Sequence, residues 1–191
     1  MRLFVALEIP PGVRDNLAAL IQDLRGLTEQ LRDKRPRWVR PENLHMTLKF
    51  IGEASPAKLE PIRGALSAVR SDQPCVLSFR GLGFFPNERH ARVFWAGIEA
   101  LPNLASLAVD IDSALQAVGV AREKRPFAPH LTLARFEPPG MNEKLRNAIQ
   151  ERNARDFGAL HANEFHLIES KTKPSGAEYT TLQSFRFAAG D

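Results

Sequence analysis

Arg40-Pro41-Glu42-Asn43-Leu44-His45-Met46-Thr47-Leu48 and Arg125-Pro126-Phe127-Ala128-Pro129-His130-Leu131-Thr132-Leu133 are two versions of one pattern. In each, an Arg-Pro pair ends four residues before a histidine, and Thr and Leu follow that histidine at +2 and +3. On a β-strand, side chains at i and i+2 leave one face while those at i+1 and i+3 leave the other. His45 with Thr47, and His130 with Thr132, should therefore project together, backed by Met46, Leu48, Leu131 and Leu133 against a core. An imidazole with an unperturbed pKa of about 6.5 can be neutral or charged at neutral pH with little tuning. A neutral ring takes a proton from water and a charged one gives a proton to a leaving alkoxide, each transfer contributing roughly 10²–10⁴-fold. The threonine hydroxyls can donate to non-bridging phosphate oxygens and hold phosphorus between the rings. Cleaving a phosphodiester without a metal calls for such a set. One H-x-T alone is ordinary strand packing. Two copies at equivalent places of a repeat point to chemistry, because packing alone would keep aliphatics rather than histidines.

Outward from these stretches the chain reads as two similar halves. Residues 2–8 form a strand, Pro10-Pro11 open a helix, and its apolar positions Val13, Leu17, Leu20, Ile21, Leu24, Leu27 and Leu31 recur by threes and fours until Arg35-Pro36. After a short extended piece at Trp38-Val39, the first histidine strand covers 43–51 and stops at Gly52. Ser55-Pro56 start a helix with Leu59, Ile62, Leu66 and Val69, then residues 75–80 form a strand leading into a Gly81–Pro86 loop. The order restarts with a strand at 91–98, a helix from Pro102, the second histidine strand at 129–136, a helix near 142–152, and strands near 160–170 and 178–187. No Pro- or Ser-rich linker divides the halves. The expected architecture is α+β: one bilobal domain over 1–191, its lobes near 1–88 and 89–191, each an antiparallel-rich sheet with helices outside and its HxT strand facing a shared cleft.

Composition narrows the class. The chain has 191 residues, 43% hydrophobic and 25% charged, and a net charge of +4, as in ordinary globular proteins that tolerate anionic ligands. The single cysteine, Cys75, sits in an apolar run and reads as packing. The apolar stretch Leu3–Ile9 contains Glu8 and ends at Pro10, too short for a membrane span, so a soluble cytoplasmic protein and no membrane partner are expected. No H-E-x-x-H or cysteine cluster is present, and His161 and His166 alternate onto opposite strand faces, so no metal and no cofactor are expected. Walker loops, G-x-G-x-x-G and G-x-S-x-G are also absent.

Candidate substrate contacts surround the histidines. Arg40 and Arg125 precede the prolines at the strand entrances. Arg135, at +5 from His130, falls on the opposite face by alternation, but near the strand end where a bulge can turn it inward. Trp38, Phe84, Phe85, Trp95 and Phe127 are possible stacking faces for a base, with Phe84 and Phe127 favoured because both are expected in loops.

Asn43-Leu44-His45-Met46-Thr47-Leu48-Lys49-Phe50-Ile51-Gly52 and Pro129-His130-Leu131-Thr132-Leu133-Ala134-Arg135 resemble the signature strands of the two-histidine phosphoesterase superfamily. Arg2–Leu7 and the segment from Glu169-Ser170 to Gly176–Tyr179 extend the likeness to its RNA 2′,3′-cyclic phosphodiesterase, or 2′-5′ RNA ligase (LigT-like), branch. The resemblance implies a bilobal fold and metal-independent opening of a 2′,3′-cyclic phosphate at an RNA end to a 2′-phosphate, with 2′-5′ joining as the reverse. It implies that the arginine after the second motif, here Arg135, helps bind phosphate. Pseudo-symmetry makes the histidines nearly interchangeable; His45 is assigned the acid and His130 the base. The expected partners are RNA ends or nucleotides bearing a cyclic phosphate, with the chain a monomer. A non-catalytic RNA- or nucleotide-binding module, or an enzyme for a small cyclic nucleotide, are the alternatives.

Overall fold

A computed structural model describes residues 1–28, 36–174 and 176–187. The strands are β1 (Arg2–Glu8), β2 (Arg37–Trp38), β3 (His45–Glu53), β4 (Cys75–Phe85), β5 (Val93–Ala100), β6 (His130–Arg135), β7 (Asp156–Ala162), β8 (Glu164–Lys173) and β9 (Gly176–Arg186). The helices are α1 (Pro11–Gly26), α2 (Leu59–Ser67), α3 (Pro102–Ala117) and α4 (Glu143–Gln150). Two antiparallel sheets result, in the orders β3-β1-β8-β9 and β2-β6-β5-β4-β7.

Local chemistry explains the elements. Pro11 and Pro102 each occupy the first turn of a helix, where a missing N–H costs nothing. Val13, Leu17, Leu20, Ile21 and Leu24 of α1 are all buried, so the spacing read from sequence is the packed stripe. The expected continuation to Leu31 and the stop at Arg35 lie outside the described residues. Asn142 caps α4, its side-chain oxygen accepting from the Leu145 N–H at 2.8 Å. β1 lies second in its sheet and is buried from Leu3 to Leu7. Leu3, Val5 and Leu7 enter a main core that both sheets and all four helices share, while Phe4 and Ala6 join Ile168 on the other face. A strand buried on both faces reads as an unbroken apolar run, as here. Cys75 is buried in the main core, and burial pushes its thiol up to about 11. No helix among the described residues is long and apolar enough to cross a membrane.

The structure departs from expectation in four places. A 3₁₀ turn, Pro41–Asn43, precedes β3, and Gly52 does not end the strand: its φ of +81° accommodates a bulge at Ile51 between the Gly52–Leu3 and Phe50–Phe4 pairs. A second 3₁₀ turn, Pro56–Lys58, precedes α2, and Ser55 makes no side-chain cap. The Gly81–Phe85 segment is not a loop but the second half of β4, because residues 82–85 pair with 93–96 of β5. Gly83 is required there, since a Cβ on it would lie 2.2 Å from the Trp95 ring. Finally, the stretch expected as one strand at 160–170 is β7 and β8, broken at Asn163.

The two sheets also do not follow the two halves of the sequence. β2 and β4 come from residues before 88 yet belong to the second sheet, while β8 and β9 return to the first. Pairing across long sequence separations decides this, and local pattern cannot reveal it.

Candidate active site

Two matching bulges shape the site. In β3, Thr47 pairs with Ala6 and Lys49 with Val5, so Leu48 is the extra residue. In β6, Thr132 pairs with Trp95 and Ala134 with Phe94, so Leu133 is extra. An extra residue shifts every later side chain to the other face. Cross-strand partners share a face. His45, Thr47 and Phe50 thus lie with Glu8, Ala6 and Phe4, while His130, Thr132 and Arg135 lie with Gly97, Trp95 and Val93. Arg135 therefore reaches the histidine face, as a bulge near the strand end allows and simple alternation does not. The same shift turns Lys49 inward.

Each imidazole is held the same way. His45 Nδ1 donates to the Asn43 carbonyl at 2.7 Å, and His130 Nδ1 to the Ala128 carbonyl at 2.8 Å. A carbonyl only accepts, so the proton sits on Nδ1, and Nε2 is the nitrogen that gains or loses a proton. Phe4 packs on His45 with centroids 4.6 Å apart, and Tyr179 meets it edge-on at 5.1 Å. Phe85 meets His130 edge-on at 4.9 Å. Burial lowers the His45 pKa below the ordinary imidazole value, opposed by the Asn43 carbonyl. Burial raises the Tyr179 pKa, and the charges of Arg135 and Arg2 pull it back. Arg135 of the second sheet thus acts electrostatically on a tyrosine of the first. β3 and β6 are in contact, and with Arg135 acting on Tyr179 the two histidine faces border one another.

The other expected contacts divide. Thr47 and Thr132 are half-buried beside their histidines. Arg40 is exposed near Glu42 and shares a pocket with Asn43, Gly176 and Tyr179, at the edge of the His45 surroundings. Arg125 is exposed and pairs with Glu123 at 3.5 Å. Phe84 does not face the cleft: it pairs with Phe94 and stacks on that buried ring at 5.4 Å, because a strand, not a loop, carries it. Its neighbour Phe85 takes the cleft side, tilted against Trp95 at 5.3 Å. Phe127 is partly buried against the main core, and Trp38 packs edge-on to Phe94 on the core side. Phe4 and Tyr179 were not among the expected contacts. Phe4 was hidden in the apolar run Leu3–Leu7, and Tyr179 entered only as the end of the Gly176–Tyr179 segment that carries the family likeness, with no role attached.

The LigT like Phosphoesterase pattern matches residues 7–95 and 98–179. This chain belongs to the LigT-like phosphoesterase family. A relative in Methanothermobacter thermautotrophicus, named RNA 2′,3′-cyclic phosphodiesterase, is 35% identical over 97% of this chain and 98% of its own. The Archaeoglobus fulgidus relative of the same name is 34% identical over 97% of this chain and 99% of its own. Among solved structures, the TT0787 protein of Thermus thermophilus superposes with a TM-score of 0.76 at 30% identity over the whole of both chains. E. coli LigT complexed with 3′-AMP gives a TM-score of 0.73 at 27% identity over 97% of each.

In this LigT-like chain one buried ion pair ties the two motifs together. Lys49, turned inward by the Leu48 bulge, donates from Nζ to Asp112 Oδ1 of α3 at 2.5 Å and to the Ala121 carbonyl at 2.7 Å. Asp112 also accepts the Glu123 N–H at 3.1 Å. The side chains are 4% and 14% exposed. Burial alone would raise the Asp112 pKa, but Lys49, the Glu123 amide and Arg122 hold it below the usual carboxylate range. The first histidine strand is thereby fastened to the segment that leads into the second.

Proposed function

We propose that residues 1–191 form one catalytic unit that hydrolyses RNA 2′,3′-cyclic phosphate ends to 2′-phosphates without a metal. The observation that carries this reading is the matched pair of Nδ1–carbonyl bonds, which fixes both imidazoles with Nε2 as the working nitrogen. The names of the relatives support the substrate class, and a family member holds 3′-AMP in its crystal.

In this mechanism the hydroxyls of Thr47 and Thr132 and the Arg135 guanidinium hold the non-bridging phosphate oxygens. They stabilise charge as it grows in the transition state. Neutral His130 takes a proton from water at Nε2 as the water oxygen bonds to phosphorus. The P–O3′ bond breaks, and His45 delivers its Nε2 proton to the departing O3′. The product is a 2′-phosphate with a free 3′-hydroxyl. With an RNA 5′-hydroxyl in place of water as the attacking group, the same groups make a 2′-5′ linkage, and the reverse of that step cleaves it to a cyclic phosphate and a free 5′-hydroxyl.

The test is a short RNA ending in a 2′,3′-cyclic phosphate, incubated with the protein in EDTA. Hydrolysis to a 2′-phosphate that resists a 3′-specific phosphatase is expected. No turnover, or a 3′-phosphate product, overturns the proposal.

The pH profile carries a further expectation. A lowered pKa means that His45 holds its proton only at lower pH in the free protein. A bound phosphate anion favours the charged ring and moves that pKa back up. With His45 as acid, the alkaline limb of kcat/KM, which reports the free enzyme, falls below the ordinary histidine value and shifts upward in kcat. If the acid limb moves instead, His45 is the base.

A further inference from the structure

The first sheet continues past its histidine strand on the face of His45 and Thr47, and the second sheet does not do the same. Thr47 pairs with Ala6, Ala6 with His166 and His166 with Ser184, so these four residues form one row across the whole sheet. The matching row of the second sheet is Thr132, Trp95 and Gly83. There a Cβ on Gly83 would lie 2.2 Å from the Trp95 ring, so that ring fills the row, and Phe85 tilts against it at 5.3 Å. β7 pairs only with residues 75–80 of β4, and no strand among the described residues extends the row past Gly83. The second sheet thus ends in an aromatic wall. In the first, only the methyl group of Ala6 follows Thr47.

Beyond Ala6 the face is polar. β9 has a bulge at Leu182, because Gln183 pairs with Leu167 but Thr181 with Ile168. The bulge sends Phe185 into the core and leaves Tyr179, Thr181, Ser184 and Arg186 on the face of His45 and Thr47. Thr181, Ser184 and Arg186 are exposed. The Ser184 hydroxyl is fixed from below by His166, whose Nδ1 lies 2.9 Å from it and whose ring is buried. The ion-pair partner of Arg186, Glu164, stands 3.9 Å away.

We propose that the RNA chain leading to the cyclic phosphate runs out of the site across β8 and β9, its preceding nucleotides held by Thr181, Ser184 and Arg186. This rests on the reading that the site takes an RNA 2′,3′-cyclic phosphate end. Thr47 and Ser184 are three strand spacings apart, about 14 Å. Groups on β9 therefore meet the nucleotides before the terminal one and not the reacting phosphate. The rings of Trp95 and Phe85 close the opposite side, which leaves the chain one way out. Hydroxyls and a guanidinium suit phosphate oxygens and ribose hydroxyls. Such contacts set the register and direction of the strand without reading a base. An RNA end is thereby preferred to a free cyclic mononucleotide.

Calorimetric titration of the full chain with adenosine 2′-phosphate, and separately with a triadenylate ending in a 2′-phosphate, tests this without relying on turnover. Wild type should bind the trinucleotide more tightly, and Ser184→Ala should weaken it by about 10-fold, the lower end for a hydrogen bond to a charged group. Ser184→Glu should weaken it further, because a carboxylate then faces a phosphate. Arg186→Gln should flatten the slope of log affinity against log salt by about 0.7, the value for one single-strand phosphate contact. Adenosine 2′-phosphate should bind all three variants as it binds wild type. Equal weakening of both ligands, an unchanged trinucleotide affinity in Ser184→Glu, or an unchanged salt slope in Arg186→Gln overturns the path. If wild type fails to hydrolyse cyclic phosphates but the variants lose only the length-dependent affinity, the chemistry falls and the path stands. If wild type hydrolyses them but binds the trinucleotide no better than the mononucleotide, the path falls and the chemistry stands. Binding of neither ligand sinks both.

Discussion

Hydrolysis of a 2′,3′-cyclic phosphate is expected to fall by about 10²–10⁴-fold in kcat for His45→Ala and for His130→Ala, the range for losing one positioned proton-transfer group. The double variant should lose much less than the product of the two, because groups that act as a unit are not additive. KM should change little in either, since Thr47, Thr132 and Arg135 still hold the phosphate. A better leaving group separates the roles. An aryl phosphodiester that releases a nitrophenolate needs no proton on its departing oxygen. His45→Ala should recover most of its lost rate on that substrate, while His130→Ala should not. Full recovery by His130→Ala instead would exchange the assignments. Retention of wild-type rates by either variant on the RNA substrate would remove that histidine from the mechanism.

Lys49→Met is expected to destabilise the fold by about 3–5 kcal/mol, the cost of leaving one partner of a buried ion pair uncompensated. The variant strands the Asp112 carboxylate and removes the donor to the Ala121 carbonyl, although Arg122 at 3.5 Å from Asp112 limits the loss. Lys49→Met combined with Asp112→Leu should recover much of the stability, because two apolar side chains leave no buried charge behind. Denaturant unfolding of the three proteins measures this. A loss below about 1 kcal/mol would make the pair equivalent to a surface ion pair. The sign with pH follows from the lowered Asp112 pKa: its contribution is present above the unfolded carboxylate value and disappears as pH falls through the folded one. Because Lys49 is anchored in β3 and Asp112 also holds the Glu123 amide, the single variant should lower kcat even where it stays folded.

The residues that do the proposed chemistry were the most legible part of the chain. His45, Thr47, His130 and Thr132 follow strict two-residue alternation, and alternation is all that is needed to put each pair on one face. Arg135 and Phe50 obey the same rule only after a bulge, and a bulge leaves little trace in sequence. Leu133-Ala134 shows two consecutive apolar residues where one is expected, but the matching step, Leu48-Lys49, is masked by a charged residue that is itself buried. Phe84 was misplaced for a related reason. Glycines in Gly81-Leu82-Gly83 suggest a loop, yet Gly83 serves the close approach of Trp95 inside a strand. The helices were legible in type because their stripes are long, and their ends were less so. Which strand joins which sheet was not legible, since it depends on partners far apart in the chain, such as Arg80 with Asp156, Trp38 with Ala134 and Arg2 with Ser170.

That interleaving has a consequence for how the chain reaches its native state. β1 is made first during synthesis, yet one of its two neighbours, β8, pairs Arg2 with Ser170. Until those last strands emerge, one edge of β1 stays open, with its backbone N–H and C=O groups unpaired. Early formation of a stable first sheet is ruled out, and folding must wait for a loop closure spanning most of the chain. Such topologies fold slowly for their size. Tyr179, on β9 beyond that closure, reaches His45 only at this stage, so the surroundings of His45 and the native fold are completed in the same late event.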